Sequence, residues 1–341
     1  MTSEGGSAAF IEPLAGWKLT LDGKDLADKV NPRLIGLRLT EKRGEAADEL
    51  EITIHDHDGK LALPPEGARI ALSLGWERGT GVKTGLVAKG SFKVDELTWE
   101  GPPDTVRITA RSADLKDSFR TRKSKVWKDT TLGAVVGKIA GDNGLQPKCH
   151  ADLAGKAVTA AEQHNKSDMQ FLRDLGRRYD AVATVKDGNL LFAPVNAKTS
   201  ASGKALPTLE VTRQSGDRYT FTRSARENGQ DGAEAQWHDK ASATRKKTGS
   251  GGGRKRRLKR VYASEGDAKA ASAAEGNRLK RAAASLELTL AYGDATAAPG
   301  MPVKAKGFKS DVNGKSWLLA EVEHTMDASG FRTSLKMEVA G

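Results

Sequence analysis

The sequence predicts a mainly β protein in which an α+β insert separates two tube-like antiparallel β-barrel domains. Apolar and polar residues alternate over most of the first and last thirds of the chain. The middle third instead contains apolar residues at helical spacing. A period of two gives each strand one buried face and one polar face, and several such strands separated by turn signals favour a barrel or a sandwich.

The first segment, residues 1–112, is a series of alternating strands and is predicted to form the first barrel. Asp22-Gly23 is a turn signal between two of them. No long helical pattern interrupts the series. The alternating apolar residues are Trp17, Leu19 and Leu21; Ile35, Leu37 and Leu39; Leu50, Ile52 and Ile54; Ile70, Leu72 and Leu74; Phe92 and Val94; and Val106, Ile108 and Ala110.

The second segment, residues 113–205, is predicted to be a small α+β insert. Apolar residues between Leu132 and Ile139 share one helical face, and Asn143-Gly144 ends that helix. A second helix begins near Ser167, which has a glutamine three residues later and so forms a capping-box pattern. Asp187-Gly188 then predicts the turn of a β-hairpin.

The third segment, residues 206–341, returns to alternating strands and is predicted to form the second barrel, with an Ala-rich helix from Ser264 to about Ala284. Its last strand is the clearest of the chain, because every second residue from Phe331 to Val339 is apolar or Thr. Truncation of a large core side chain removes much of a domain's stability. The predicted core residues of this second barrel are Trp317, Phe331 and Leu335.

Charge is concentrated in one part of this third segment. The chain has 55 Lys and Arg against 44 Asp and Glu, a net charge of +11. Nine basic residues and no acidic ones lie between positions 245 and 260, and without them the net charge falls to +2. The central Gly and Ser residues predict a flexible loop over 240–261. The nine are Arg245, Lys246, Lys247, Arg254, Lys255, Arg256, Arg257, Lys259 and Arg260.

Two interpretations of this basic segment remain open. It is either a solvated loop that its own charge keeps extended, or an electrostatic contact for nucleic acid or an acidic protein surface. The glycines in its centre argue against a fixed element that reads a DNA sequence, so no specific nucleic-acid recognition is expected.

Several functional classes are not expected. The single cysteine, Cys149, excludes an internal disulfide, and no apolar run approaches the roughly 18 residues of a membrane span. The first ten residues lack the pattern of a secretory signal. We expect no enzyme, no metal and no cofactor. The segment His55–Asp58 ends in a turn, which argues against a metal site there. Cys149 and His150 lack an orienting acid, which argues against a catalytic nucleophile. His324 is interpreted as a hydrogen-bonded structural histidine.

Longer stretches of the chain resemble the phage late control D family. The run ITARSADLKDSFRTRKSKVWKDTTLGAVVGKIAGDNGLQP, residues 108–147, is similar to the family's core signature. The segment FLRDLGRRYDAVATVKDGNLLF is similar too, and the resemblance covers about residues 10–338. At the C-terminal end the residues in the family's order are Gly314, Trp317, Val322, His324, Gly330, Phe331, Thr333 and Leu335.

This resemblance implies the baseplate hub of a contractile tail, similar to the hub part of VgrG-type spikes of type VI secretion. It implies three copies in a ring of six similar barrels, which adapts a sixfold tail tube to a threefold spike around an axial channel. The expected partners are two further copies, the tube protein, a separate spike protein, and wedge and tape measure proteins. The expected location is the virion tail, after assembly in the host cytoplasm. The alternative is a nucleic-acid-binding late regulator that uses residues 245–260.

Overall fold

Strands dominate both ends of the chain in the computed structural model, which describes residues 10–26, 30–44, 47–112, 117–186, 188–201, 203–224 and 232–341. The predicted fold class, mainly β with an α+β insert, is confirmed. The strands of the first segment are β1 (Leu14–Leu21), β2 (Lys24–Asp25), β3 (Leu34–Lys42), β4 (Glu49–His55), β5 (Arg69–Arg78), β6 (Gly85–Glu100) and β7 (Thr105–Arg111).

The insert mixes short helices with short strands. Its helices are α1 (Asp117–Arg120), α2 (Leu132–Asp142), α3 (Ala151–Ala154) and α4 (Asp168–Tyr179). Its strands are β8 (Lys123–Thr131), β9 (Gln146–Cys149), β10 (Ala157–Lys166), β11 (Ala181–Lys186) and β12 (Asn189–Pro194).

The third segment has more strands than the alternation predicts. They are β13 (Leu209–Thr212), β14 (Gly216–Arg223), β15 (Gly232–Asp239), β16 (Thr244–Ser250), β17 (Lys255–Tyr262), β18 (Ala284–Leu290), β19 (Pro302–Lys306), β20 (Trp317–Asp327) and β21 (Gly330–Val339). Its helices are α5 (Glu265–Ala282) and α6 (Ser310–Asn313).

Both predicted helices of the insert form, and Ser167 caps the second as predicted, but the cap of the first is Thr131 and not Asp129 or Thr130, which the sequence favoured. The Thr131 side chain accepts a hydrogen bond from the Ala134 amide at the start of α2, and Ser167 accepts one from Gln170 at the start of α4. The strands β11 and β12 pair as the predicted hairpin requires. Its turn residue Asp187 lies outside the described residues. The strand pair β8–β10 has no clear alternation, and the sequence did not predict it.

A single sheet joins the first and third segments. Its strand order is β14-β18-β21-β20-β3-β4-β7-β6-β5-β1-β2, and β19 and β13 extend it from β20. The junction is the antiparallel pair β20–β3, which runs from Glu321 opposite Lys42 to Asp327 opposite Gly36. We call this junction the seam. The two β segments are therefore continuous through backbone hydrogen bonds, whereas the sequence suggested two separate barrels.

Three hydrophobic cores lie within this architecture, one in each segment. Trp317 and Leu335 are buried in the core of the third segment, as predicted. Phe331 is also buried, but its assignment to the second barrel is wrong, because it packs in the core of the first segment. The β20–β21 hairpin crosses the seam, so its tip reaches the first core, where the Phe331 ring lies 5.4 Å from that of Trp76.

The prediction of a flexible basic loop over 240–261 is also wrong. Residues 244–250 and 255–262 form β16 and β17, which flank β15 in a three-stranded sheet. Helix α5 packs across one face of that sheet, where the Ser250 hydroxyl donates to the Ser272 carbonyl at 2.6 Å. The glycines lie at the ends of the strands, and Gly251 has a φ of 77° in the connecting turn. Backbone pairing with β15 and packing against α5 together stabilise β16 and β17. Repulsion between their basic side chains would otherwise leave this segment extended and unpaired.

Candidate functional site

The joined sheet presents an uninterrupted polar face across the seam. The residues that point away from the cores belong to seven adjacent strands, and none of them is buried. Period-two alternation places apolar core residues directly behind them. The residues of this polar wall are Arg218, Thr220 and Thr222; Ser285, Glu287 and Thr289; Arg332, Ser334 and Lys336; Glu321, Glu323 and Thr325; Arg38, Thr40 and Lys42; Glu49, Glu51 and Thr53; and Arg107, Thr109 and Arg111.

Charges of opposite sign alternate along the polar wall. Lys336 lies opposite Glu287 on one side and Glu321 on the other, and Glu321 in turn lies opposite Lys42 across the seam. Arg38 is 3.5 Å from Glu51 and 3.7 Å from Glu323. Cross-strand pairs of opposite charge stabilise a register modestly. The wall consequently presents no extended field of one sign.

Behind the polar wall, buried charges join the two halves at the seam. Lys89 of β6 donates a 2.7 Å hydrogen bond to Glu41 of β3 and a 3.1 Å bond to the carbonyl of Ala297. The His324 Nε2 atom of β20 lies 3.4 Å from the Glu41 carboxylate. Its Nδ1 atom is 2.9 Å from the hydroxyl of Thr333. The interpretation of His324 as a structural histidine therefore agrees with its contacts.

The electrostatics of this seam cluster favour an ionised Glu41. Burial by itself raises the pKa of Glu41, but the neighbouring His324 and Lys89 outweigh burial and lower the pKa to about 2. Burial lowers the pKa of His324, which favours the neutral imidazole. Lys186 of the insert also approaches the cluster, with its ammonium 3.9 Å from Glu41 and 3.2 Å from Asp48. The three segments thus meet at one buried ionic cluster.

The insert is fixed to α5 by a second set of buried pairs. The Arg281 guanidinium donates to the Asp180 carboxylate, with one nitrogen–oxygen distance of 2.9 Å, and its Nε atom lies 3.1 Å from Glu338. Tyr179 donates a 3.0 Å hydrogen bond to Asp267 at the start of α5. These contacts position α5, and with it the sheet formed by β15, β16 and β17.

The nine predicted basic residues lie on that sheet and its turn, and they divide into two groups. Lys246 pairs with Asp239, Lys247 lies 3.3 Å from Glu234, and Arg256 lies 2.9 Å from Glu275. The other six have no acidic partner within the described part of the chain, and all of them are exposed. These six are Arg245, Arg254, Lys255, Arg257, Lys259 and Arg260.

The remaining sequence candidates are His55, His57, Cys149 and His150. Within the described ranges no group of three His, Cys, Asp or Glu side chains is placed to hold a metal ion, and that search includes His55 and His57. Burial raises the pKa of the Cys149 thiol to about 11, which disfavours the reactive thiolate. The imidazole of His150 instead caps α3 by accepting from the Asp152 amide. Among the described helices, none has the length and apolarity of a membrane span.

The sequence matches a known family over most of its length. Residues 49–330 match the family described as "Phage tail baseplate hub (GPD)". A curated relative, the probable baseplate hub protein of Escherichia phage 186, is 34% identical over 363 residues, which cover 94% of this chain and 92% of the relative. This identity extends through the first β segment, the insert and the third segment alike.

Solved structures share the fold at low sequence identity. The 43 kDa tail protein of prophage MuSo2 from Shewanella oneidensis has a TM-score of 0.65 at 14% identity, over 95% of this chain and 98% of that protein. The E. coli c3393 protein, described as a component of the type VI secretion system, has a TM-score of 0.58 at 11% identity, over 95% of this chain and 77% of that protein. Both likenesses concern the arrangement of the backbone.

Proposed function

The chain belongs to the phage tail baseplate hub family, and we propose that it is the structural hub of a contractile phage tail or related injection particle. In this role it adapts a sixfold tail tube to a threefold spike and encloses the axial channel. Membership of the family supports the hub role. The polar wall supports the channel, because it spans both β segments of one chain without exposing a large apolar side chain.

The geometry of one chain suits a ring. Each chain contributes two β segments that already share one sheet, so three chains supply six segments around a threefold axis. We propose that the polar wall faces the lumen. A hydrated surface with both charge signs interspersed binds passing material weakly, which is what a channel wall requires. The seam cluster behind it stiffens the junction, since buried charges are costly to separate.

The proposed partners follow from this position. They are two further copies of the chain, the tail tube protein above, a separate spike protein below, and wedge and tape measure proteins at the periphery and in the lumen. The protein resides in the tail baseplate of the virion, after assembly in the host cytoplasm. We propose a role in assembly without catalysis, cofactor or metal.

The alternative of a nucleic-acid-binding regulator lacks support. Proteins that recognise a DNA sequence place basic side chains on an element that fits a DNA groove, most often a helix. Here the nine basic residues lie on two edge strands and their turn, and the adjacent helix α5 is rich in alanine.

The mass of the native assembly tests the proposal. We expect native mass spectrometry of the protein mixed with its spike protein to show a species that contains three chains of 36.4 kDa. A matched variant, Thr109→Arg with Thr40→Arg on the polar wall, retains the trimer but adds positive charge to the lumen. A strictly monomeric protein in the presence of both spike and tube proteins would contradict the hub assignment. Loss of the trimer in the variant would place the polar wall at a contact between chains.

A further inference from the structure

Strand β17 is an edge strand with an uncompensated positive charge. Within the described residues it pairs on one side alone, with β15, and no described strand covers the backbone groups on its other side. Lys255 and Arg257 lie opposite Gly232 and Glu234 of β15 and share the face opposite α5, and Lys259 follows where the register of this strand pair shifts. All three are exposed, and none has an acidic partner in the described chain.

The opposite edge of the same sheet differs in charge balance. Lys246 and Lys247 of β16 each pair with an acid that β15 supplies, Asp239 and Glu234 respectively. Within the described part of the chain, Arg256 alone of the β17 cations forms an ion pair: its side chain points towards α5 and lies 2.9 Å from Glu275. Within the described residues, two of the three cations on β16 therefore have an acidic partner, against one of the five on β17.

We propose that β17 is a docking edge for an acidic extended segment of a partner protein. The segment adds to the sheet as a further strand, and its backbone pairs with the free edge of β17. Side chains on one face of an added strand repeat every second residue, as do Lys255 and Arg257 in the regularly paired part of β17. A segment with acidic residues at alternate positions therefore places one carboxylate beside Lys255 and one beside Arg257, and Lys259 adds positive charge at the same edge.

The chemistry favours a protein strand over a nucleic acid. Phosphate contacts need positive charge alone, whereas this surface combines charge with an unpaired backbone edge that only another peptide can complete. Helix α5 leaves the edge accessible, because it packs mainly across β15 and β16. The inference needs the fold of this sheet and does not depend on the trimer or the channel.

Binding of synthetic peptides to the full-length protein tests the proposal. The probe is a fluorescein-labelled peptide of about ten residues with Glu at alternate positions and Thr or Val between them. A second peptide has the same Glu positions with Pro between them, so it cannot donate backbone hydrogen bonds at those positions. A short DNA duplex is the third probe. Fluorescence anisotropy measures all three affinities.

Two protein variants with equal charge separate local from global effects. The test variant is Lys255→Gln/Arg257→Gln/Lys259→Gln, and the matched control is Lys24→Gln/Lys60→Gln/Lys304→Gln, whose residues are exposed and distant in sequence from β17. We expect the test variant to bind the Glu/Thr peptide roughly tenfold more weakly than the wild type, and the control variant to differ by less than about twofold. We expect the proline peptide to bind at least about tenfold more weakly than the Glu/Thr peptide.

Several results would overturn the inference. Equal affinity for the proline peptide means that charge alone attracts the probe, without strand addition. Tighter binding of the DNA duplex than of the peptide assigns the edge to a nucleic acid. If no probe binds and the test variant abolishes self-association in light scattering, the occupant of the edge is a second copy of this chain. Absence of both binding and self-association means that the basic residues only protect an exposed edge from aggregation.

Discussion

Replacement of Lys89 by methionine is expected to be one of the most damaging single changes in the protein, although Lys89 is a charged residue. The substitution keeps an unbranched side chain of similar length and removes the ammonium group. Glu41, which is only 4% exposed, then loses the 2.7 Å hydrogen bond from Lys89, and the carbonyl of Ala297 loses its 3.1 Å bond. Removal of one partner from a buried ion pair costs about 3–5 kcal/mol of unfolding free energy, because the other charge remains buried.

The same cluster gives a stability profile with a defined pH window. The folded-state pKa of Glu41 is about 2, below its ordinary value of 4.5. A depressed folded pKa means that the ionised Glu41 stabilises the fold above about pH 4.5, and that this contribution disappears as the pH falls towards 2. Its size is roughly 3 kcal/mol at about 1.4 kcal/mol per unit. The difference in stability between the wild type and Glu41→Gln should therefore shrink over that window.

Urea unfolding followed by tryptophan fluorescence measures both effects. The matched control is Lys18→Met, which removes an exposed pair in which Lys18 lies 3.1 Å from Asp25. We expect that control to change the unfolding free energy by less than about 1 kcal/mol. The double variant Glu41→Gln/Lys89→Met should be more stable than Lys89→Met alone, because no unpaired charge remains. A loss of under about 1 kcal/mol for Lys89→Met, or a double variant whose losses simply add, would refute the assignment of a coupled buried pair.

Four further predictions concern packing and reactivity. Phe331→Ala should lower the unfolding free energy by about 3–5 kcal/mol and leave little soluble protein, because Phe331 packs against Trp76 in the first core. A normal yield of soluble protein with an unchanged unfolding curve by circular dichroism would contradict this. Gly75→Ala should destabilise the β5–β6 pair by about 1–3 kcal/mol, since a Cβ there would clash with the carbonyl oxygen of Gly85. Gly137→Ala in α2, where nothing lies within 4 Å of a Cβ, should be neutral or stabilising; urea unfolding of both glycine variants measures the difference, and equal losses for the two would contradict this explanation. Burial raises the pKa of Cys149 to about 11. Iodoacetamide at pH 8 should therefore alkylate Cys149 much more slowly in the folded protein than in urea. Equal rates would show that the thiolate is accessible in the folded protein.

The basic segment shows how composition can mislead. Nine like charges around a run of glycines predict an extended loop, because repulsion and backbone entropy both oppose local order. The strand β15 and the helix α5 reverse that balance. Ser250 bonds to α5, and Arg256 pairs with Glu275 of that helix. No pattern in the residues next to Ser250 or Arg256 in the sequence predicts either contact.

Period-two and helical patterns by themselves determined the strands around the cores, the helices α2, α4 and α5, and the burial of Trp317, Phe331 and Leu335. Local patterns suffice there because the spacing of the apolar residues within each element indicates which face is buried. Only the tertiary structure decided that β20 pairs with β3, that Phe331 belongs to the first core, and that Glu41, Lys89 and His324 meet. These contacts join residues far apart in the chain, and the free energy that selects them comes from partners that no local window contains.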